Sequence, residues 1–368
     1  EFASMIPVAG SAYTYSYAVL GELVAWLVGW ALMLEYSVAA SAVAVGWSGY
    51  FVGLMQNSLG VEIPFALANG PFAGGIINLP AVFICILVIA LLVIGTRESA
   101  TFNATLVAIK IAALTLFIAL TLPVASLENF HPFLPLGEAG VIAAASSIFF
   151  AYVGFDAVST AAEETKDPQR NVPIGLISSL VICTVFYLLI SAGAIGAIGA
   201  QPLLDETGKN LVPGSLRLAE QCQSLAALGQ QPLVCSHEAL ALVLREIGWE
   251  KVGNFLGLTA FLALPSVVLM MLFGQTRIFF VMSRDGLLPE VLSRIHPRFK
   301  TPHVVTYVTG LGVMAAAAFL PVGKLADISN SGTLFAFMVV AFTVMILRIK
   351  DKSRVRPFRT PAVWLIGP

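Results

Sequence analysis

The sequence predicts an all-α polytopic membrane protein, and three observations carry that prediction. Of 368 residues, 58% are hydrophobic and only 11% are charged, and the mean hydropathy is +0.89. A soluble domain is nearer half apolar and a quarter charged, so this chain cannot cover its own surface in water. Apolar stretches of about 20 residues, the length that crosses a ~30 Å hydrocarbon core, recur eight times. They run apolar without the two-residue alternation of a membrane β-barrel, so the spans are helices. The same arithmetic excludes a disordered chain, a coiled coil and a secreted disulfide scaffold. With a net charge of -1 there is no basic domain on which nucleic-acid binding would rest.

In chain order the spans fall at 24–50, 76–96, 102–124, 139–162, 173–199, 252–281, 302–320 and 328–347. The first, third and fourth each hold an ionisable group well inside: Glu35, Lys110 and Asp156. The fourth also holds Gly154, flanked by aromatics, as a candidate break in the helix. Pro265 should kink the sixth, with Ser266 beside it to satisfy freed backbone. The eighth opens on Asn330-Ser331-Gly332-Thr333, a polar entry that reads either as a gate or as an end cap.

Lys and Arg set the orientation. Fourteen of the 20, from Arg97 through Arg277 and Arg298 to Arg359, fall in one set of loops, and the alternation holds across all eight spans. That set is expected to be cytoplasmic, in a multi-pass protein of the inner or plasma membrane. The segment 200–251 is then a long extracytoplasmic loop. Its Cys222 and Cys235 lie on the oxidising side, where a bridge and two free thiols stand equally open. Residues 238–249 alternate Leu, Val and Ile with Glu and Arg at helical spacing, which predicts an outer surface helix. The chain opens without an initiator Met and closes on an apolar stretch from Ala362, so the reading expects an internal fragment with a further helix at each end.

Soluble-enzyme chemistry is missing from the pattern. Four histidines lie in loops or at span ends without paired metal-binding spacing, and there is no phosphate cradle or nucleophile elbow. Neither a metal, a cofactor nor a catalytic residue is expected. Charges at membrane depth cost about 2.5–3.5 kcal/mol on insertion scales, so Glu35, Lys110 and Asp156 are the functional candidates. At the helical rise Glu35 lies ~18 Å from the cytoplasmic end of its span and Lys110 ~12 Å, with Asp156 near the depth of Lys110. A lysine whose charge is set by burial and by neighbouring carboxylates is the chemistry of a proton-coupling switch. The competing reading is a static ion pair, with Lys110 snorkelling to the interface.

Several motifs carry a family resemblance: residues 5–15; Gly29-Trp30 with Glu35-Tyr36; Asn103 through Lys110; Phe150-Ala151-Tyr152-Val153-Gly154-Phe155-Asp156; Glu163-Glu164-Thr165 with residues 167–175; and Gly274-Gln275-Thr276-Arg277 leading to residues 283–289. By these the chain resembles the amino acid–polyamine–organocation superfamily, in the branch of cationic amino acid transporters. The resemblance implies a leucine-transporter-like five-plus-five inverted repeat, here truncated. Residues 1–23 would end the second helix and its loop, 24–199 would be the third to seventh helices, 252–347 the eighth to tenth, and 348–368 a loop and the start of the eleventh. It implies that the backbone at Phe150, Ala151 and Val153, in the stretch with Tyr152 and Gly154, binds the substrate's amino group, and that Met270 or Met271 lines the side-chain pocket. Asp156 is expected, with Glu35, as an acidic partner of Lys110 or as a contact for a cationic side chain. Lys110 matches a lysine standing where sodium-coupled relatives hold their ion, which implies proton coupling, with Glu35 as its acidic partner. The first helix, which would receive the α-carboxylate, is not in this chain.

The expected function is thus a proton-coupled amino acid permease working by alternating access, with an amino acid, a proton and the lipid bilayer as partners and no nucleic acid. Two methionines ahead of Phe273 crowd a long cationic chain and favour a neutral or broad specificity. A polyamine permease, a membrane sensor without turnover and an inert truncated product are the alternatives.

Overall fold

A 38-residue helix, α1 (Glu22–Leu59), is the axis on which the others are assembled. It runs about 57 Å at 1.5 Å per residue, well beyond a hydrocarbon core, and ends at Gly60 in a left-handed turn whose N–H closes on Met55. Its inward face is largely Ala, Gly and Ser, interrupted by Leu32, Tyr36 and Trp47. Small residues let neighbouring backbones approach closely, the device that packs helices where lipid gives no hydrophobic drive. The computed structural model describes residues 1–5, 11–95, 100–131, 133–134, 137–156, 165–205, 208, 210–211, 216–228, 230, 232–236, 238–353 and 355–366.

Among the described residues seven further long helices follow: α2 (Leu79–Ile94), α3 (Ala100–Thr121), α4 (Gly137–Ile148), α5 (Pro168–Ile198), α6 (Glu250–Arg284), α7 (His303–Phe319) and α8 (Val322–Lys350). Among the described residues, five stretches are long and apolar enough to cross a membrane, and Leu79–Ile94, Gly140–Tyr152 and His303–Phe319 are shorter apolar helices. Helices α6 and α8 make the most extensive contacts with α1, and α7 packs on α2. The main core collects Val28, Leu32 and Tyr36 of α1, Ile84 and Val88 of α2, Leu272 and Met282 of α6, and Val305 and Val313 of α7. The exposed surface is rich in large apolar residues such as Leu188, Phe255 and Leu311, as expected of a face turned to lipid.

The two ends of the bundle are tied differently. At the basic end Tyr13 donates to Asp285 at 2.9 Å, Thr301 donates to the Val93 carbonyl at 2.6 Å, and the Glu1 carboxylate takes both Arg348 and Arg356. At the opposite end Cys222 and Cys235 form a disulfide, with their Cα atoms 5.4 Å apart, which settles the alternative the sequence left open. There Glu238 accepts from Asn57 of α1 at 2.8 Å and pairs with Arg245. Burial pushes the Glu238 carboxyl above its ordinary range, against the opposing pull of Arg245 and Asn57.

Four expected elements are corrected. The first span overruns its sequence bound of 50, because polar Gln56 and Asn57 are tolerated beyond the membrane. The second begins at Leu79 rather than 76, because the Asn78 side chain accepts from Ala81 N and caps it. The eighth begins at Val322 rather than 328, so Asn330 sits inside the helix and is not its end cap. The outer helix is shorter (Ala239–Glu246) and is no surface helix: Val243 and Leu244 are fully buried beside Phe117 of α3 and Leu256 of α6. An amphipathic helix over Leu216–Ala227 precedes it, which the sequence reading passed over. Residues 6–10 of the first motif, Arg97, residues 157–162 of the fourth span, Glu163, Glu164, His237 and Arg354 lie outside the described residues.

Candidate functional site

Helix α4 stops at Ile148, and the chain continues as a tighter turn over Phe149–Tyr152 before Val153 turns extended. Gly154 then takes φ +100°, a backbone that side-chain-bearing residues rarely adopt. A helix that stops leaves its last carbonyls without intrahelical donors. Here Asn330, reaching across from α8, donates to the Ser146 and Ser147 carbonyls at 2.8 and 3.2 Å. The polar run in α8 therefore caps a neighbouring helix.

The interrupted stretch is held by α5. Tyr187 donates to the Ala151 carbonyl at 2.6 Å, and Tyr152 and Thr184 share a hydrogen bond at 2.9 Å. The Phe150 carbonyl accepts from Val153 N at 3.1 Å, and among the described residues no donor is directed at the Val153 carbonyl. Phe149 and Phe155 both lean on Phe337 of α8.

Beyond the break lies Asp156, 6% exposed. Tyr36 of α1, wholly buried, donates to its Oδ2 at 2.8 Å. Glu35, the residue before Tyr36, lies near enough to feel the charge of the same carboxylate and is itself sealed from solvent, and among the described residues neither of its carboxylate oxygens has a hydrogen-bond partner. Thr333 of α8 stands beside it with its hydroxyl committed to the Ser329 carbonyl at 3.0 Å. Gly332 lets α8 come this close, since a Cβ there would stand 2.8 Å from the Ala31 carbonyl.

The structure thus brings Glu35 and Asp156 together and sets Lys110 apart from them. The half-buried Lys110 ammonium donates to Ser266 Oγ at 3.3 Å. Among the described residues no carboxylate lies within ion-pairing distance of it. Ser266 in turn donates to the Ala263 carbonyl at 2.7 Å, next to Pro265. Of the two methionines, Met271 is buried and lies directly on Gly154, whereas Met270 is 43% exposed and turns away.

Sequence reasoning gave no role to Tyr36, Tyr187 or Gln275. The Gln275 amide is 2% exposed and donates to Ser37 of α1, while among the described residues its Oε1 has no partner. A buried amide inside an apolar span is itself a signal that marks Gln275. Tyr36 stood next to a flagged acid, and Tyr187 carries no signal among its apolar neighbours. A broken helix beside two buried carboxylates has the chemistry that can accept an ammonium group or a proton.

Over residues 1–367 the chain matches the family model described as amino acid permease. A methylthioribose transporter and the branched-chain amino acid permease BcaP, both of Bacillus subtilis, are each 40% identical to it over 370 residues, covering the whole chain and 73% of their own length. The vacuolar cationic amino acid transporter 4 of Arabidopsis thaliana is 32% identical over 95% of the chain, which spans about half of that protein, 54%.

Proposed function

The chain belongs to the amino acid permease family, and on that premise we propose that it carries neutral, aliphatic amino acids by alternating access, coupled to protons. It is a multi-pass integral membrane protein and an amino acid transporter, not an enzyme. In this reading the eight long helices are the third to tenth of a five-plus-five inverted repeat, and the basic loops face the cytoplasm.

The observation that carries the neutral specificity is Met271 lying on Gly154 at the helix break. The amino group would sit on the backbone of Phe150, Ala151 and Val153, with Tyr152 and Gly154 shaping the turn and Asp156 behind it. Met271 then closes the space into which a side chain would extend, leaving room for a short apolar one. The name of the Bacillus branched-chain permease points the same way. Lys110 and Glu35 are assigned the proton, Lys110 because its ammonium holds one neutral hydroxyl and, among the described residues, no carboxylate. A second reading, cationic substrates, is favoured by the pairing of Glu35 with Asp156, two acids within reach of one basic side chain. Polyamine transport and a sensor without turnover are separated by the same measurement.

The test is counterflow in proteoliposomes holding the full-length protein, with labelled leucine and labelled arginine under an imposed pH gradient. Leucine exchange that outruns arginine, and that loses its pH drive in Lys110→Ala, supports the proposal. Arginine-only exchange transfers it to the second reading. Binding without counterflow overturns transport.

A further inference from the structure

At the end of the bundle opposite the basic loops, two adjoining cavities of about 260 and 340 Å³ lie between α1, the cap residue of α2 and the disulfide loop. They share Val45, Phe65, Asn69, Asn78 and both cysteines of the Cys222–Cys235 bridge. Among the described residues no charged side chain lines either one.

Asn78 is 3% exposed. Its carboxamide oxygen accepts from Ser48 Oγ at 2.6 Å and from Ala81 N at 3.1 Å, which fixes the orientation of the amide. Its NH₂ group donates to nothing among the described residues, and it belongs to a side chain that lines both cavities. The first turn of α8 opens on the same space at Pro321, Val322 and Gly323. A helix start presents unpaired N–H groups and a partial positive charge. The second helix start is that of α2, capped by Asn78 itself. Lys324 adds a cation 4.5 Å above the ring of Phe72, a lining residue. The polar groups therefore converge on negative charge, while Val45, Phe65 and Leu320 supply an apolar wall.

We infer that this cavity is a capture site for a small aliphatic carboxylate, the carboxylate end of an amino acid arriving from the outer side. The inference rests on the proposed function for the identity of the arriving molecule, but the carboxylate chemistry does not depend on turnover. An incoming carboxylate would take its hydrogen bonds from Asn78 Nδ2 and the first N–H groups of α8, and lay its chain along Val45 and Phe65. The site is separate from the Phe150–Asp156 break, to which the proposed function assigns the amino group once the substrate has moved inward.

The experiment is saturation-transfer NMR on the full-length detergent-solubilised protein with three probes: leucine, 4-methylpentanoate (carboxylate without amine) and leucinamide (amine without carboxylate). Two variants are compared with wild type. Asn78→Asp keeps the oxygen that Ser48 and Ala81 use, but replaces the free donor by a negative charge. Val45→Trp fills the cavity from α1. Saturation transfer to 4-methylpentanoate in wild type, lost in both variants, supports the inference, together with a KM for leucine uptake raised ~10-fold at unchanged Vmax, the size of one lost charge-assisted hydrogen bond. Signal from 4-methylpentanoate that persists in both variants overturns it, as does leucinamide binding that is lost in parallel. Should wild type bind 4-methylpentanoate in this way and yet move no amino acid, the proposed function fails while the site stands.

Discussion

The indole N–H of Trp47 donates to the Phe261 carbonyl at 2.8 Å, joining α1 to α6. Phe261 is four residues before Pro265, so its carbonyl is the one that loses its helical donor to the proline ring. The sequence reading gave that repair to Ser266, whose hydroxyl bonds Ala263 instead. The repair is interhelical, and it ties α6 at its proline to the axis helix just where Trp47 stacks on Phe51 and Phe261.

Trp47→Phe should therefore destabilise the protein by about 1–2 kcal/mol, the cost of orphaning a buried carbonyl, with the ring packing mostly kept. In a Pro265→Ala background the carbonyl regains its own N–H, and the same substitution should cost measurably less. Melting of the four proteins of this cycle in detergent gives the coupling directly. Equal costs in both backgrounds would show that Trp47 serves only as packing.

Much of this fold is legible in sequence because lipid forces every backbone group to be satisfied within its own segment. Eight apolar stretches had to be helices, and Gly154 beside Asp156 marked the break where it occurs. What sequence does not carry is which helix repairs which defect. Asn330 reads as an end cap or gate in its own span, yet its partners are carbonyls of Ser146 and Ser147, 184 and 183 residues away. Likewise, depth along the helices put Glu35, Lys110 and Asp156 near one level, but rotation about each axis decides who meets whom. The structure pairs the two acids and gives Lys110 to Ser266.

Asn330→Leu should leave the Ser146 and Ser147 carbonyls without donors at the start of the interrupted stretch. Transport is expected to fall roughly 5- to 150-fold in Vmax, from about 1–3 kcal/mol of lost satisfaction, with little change in membrane insertion. Asn330→Asp, which keeps the shape but offers no donor when ionised, should fail as badly. Uptake normalised to surface protein measures both, and normal uptake in the Asp variant would remove the capping role.

Glu238 gives a pH dependence of defined sign. Burial holds its folded-state pKa above the ordinary 4.5, despite Arg245 and Asn57. The folded protein therefore binds more proton than the unfolded chain between those two values, and this group's contribution to stability declines as pH rises through that window. Above it the ionised carboxylate stays buried, held by Arg245. Melting temperatures of wild type and Glu238→Gln across pH 4.5 to 7 should diverge in slope, with wild type falling more steeply. Parallel curves would mean that this carboxyl is not perturbed.

The last prediction concerns the contact of Met271 with Gly154. A methyl group at Gly154 meets two separate obstacles, the Met271 side chain and a φ of +100°. Gly154→Ala should abolish uptake, and adding Met271→Ala should restore only part of it, because trimming the methionine removes the clash and leaves the backbone strain. Met271→Ala alone tests specificity. If Met271 closes the side-chain space, its removal should lower the preference for leucine over arginine by about tenfold, the lower end of what one methylene discriminates in an apolar pocket. Glu35 and Asp156 would then face the longer cationic chain, so Glu35→Gln in the Met271→Ala background should withdraw the gain in arginine uptake. An unchanged leucine-to-arginine ratio in Met271→Ala would place the side-chain pocket elsewhere. The specificity would then have to be set by residues other than those at this break.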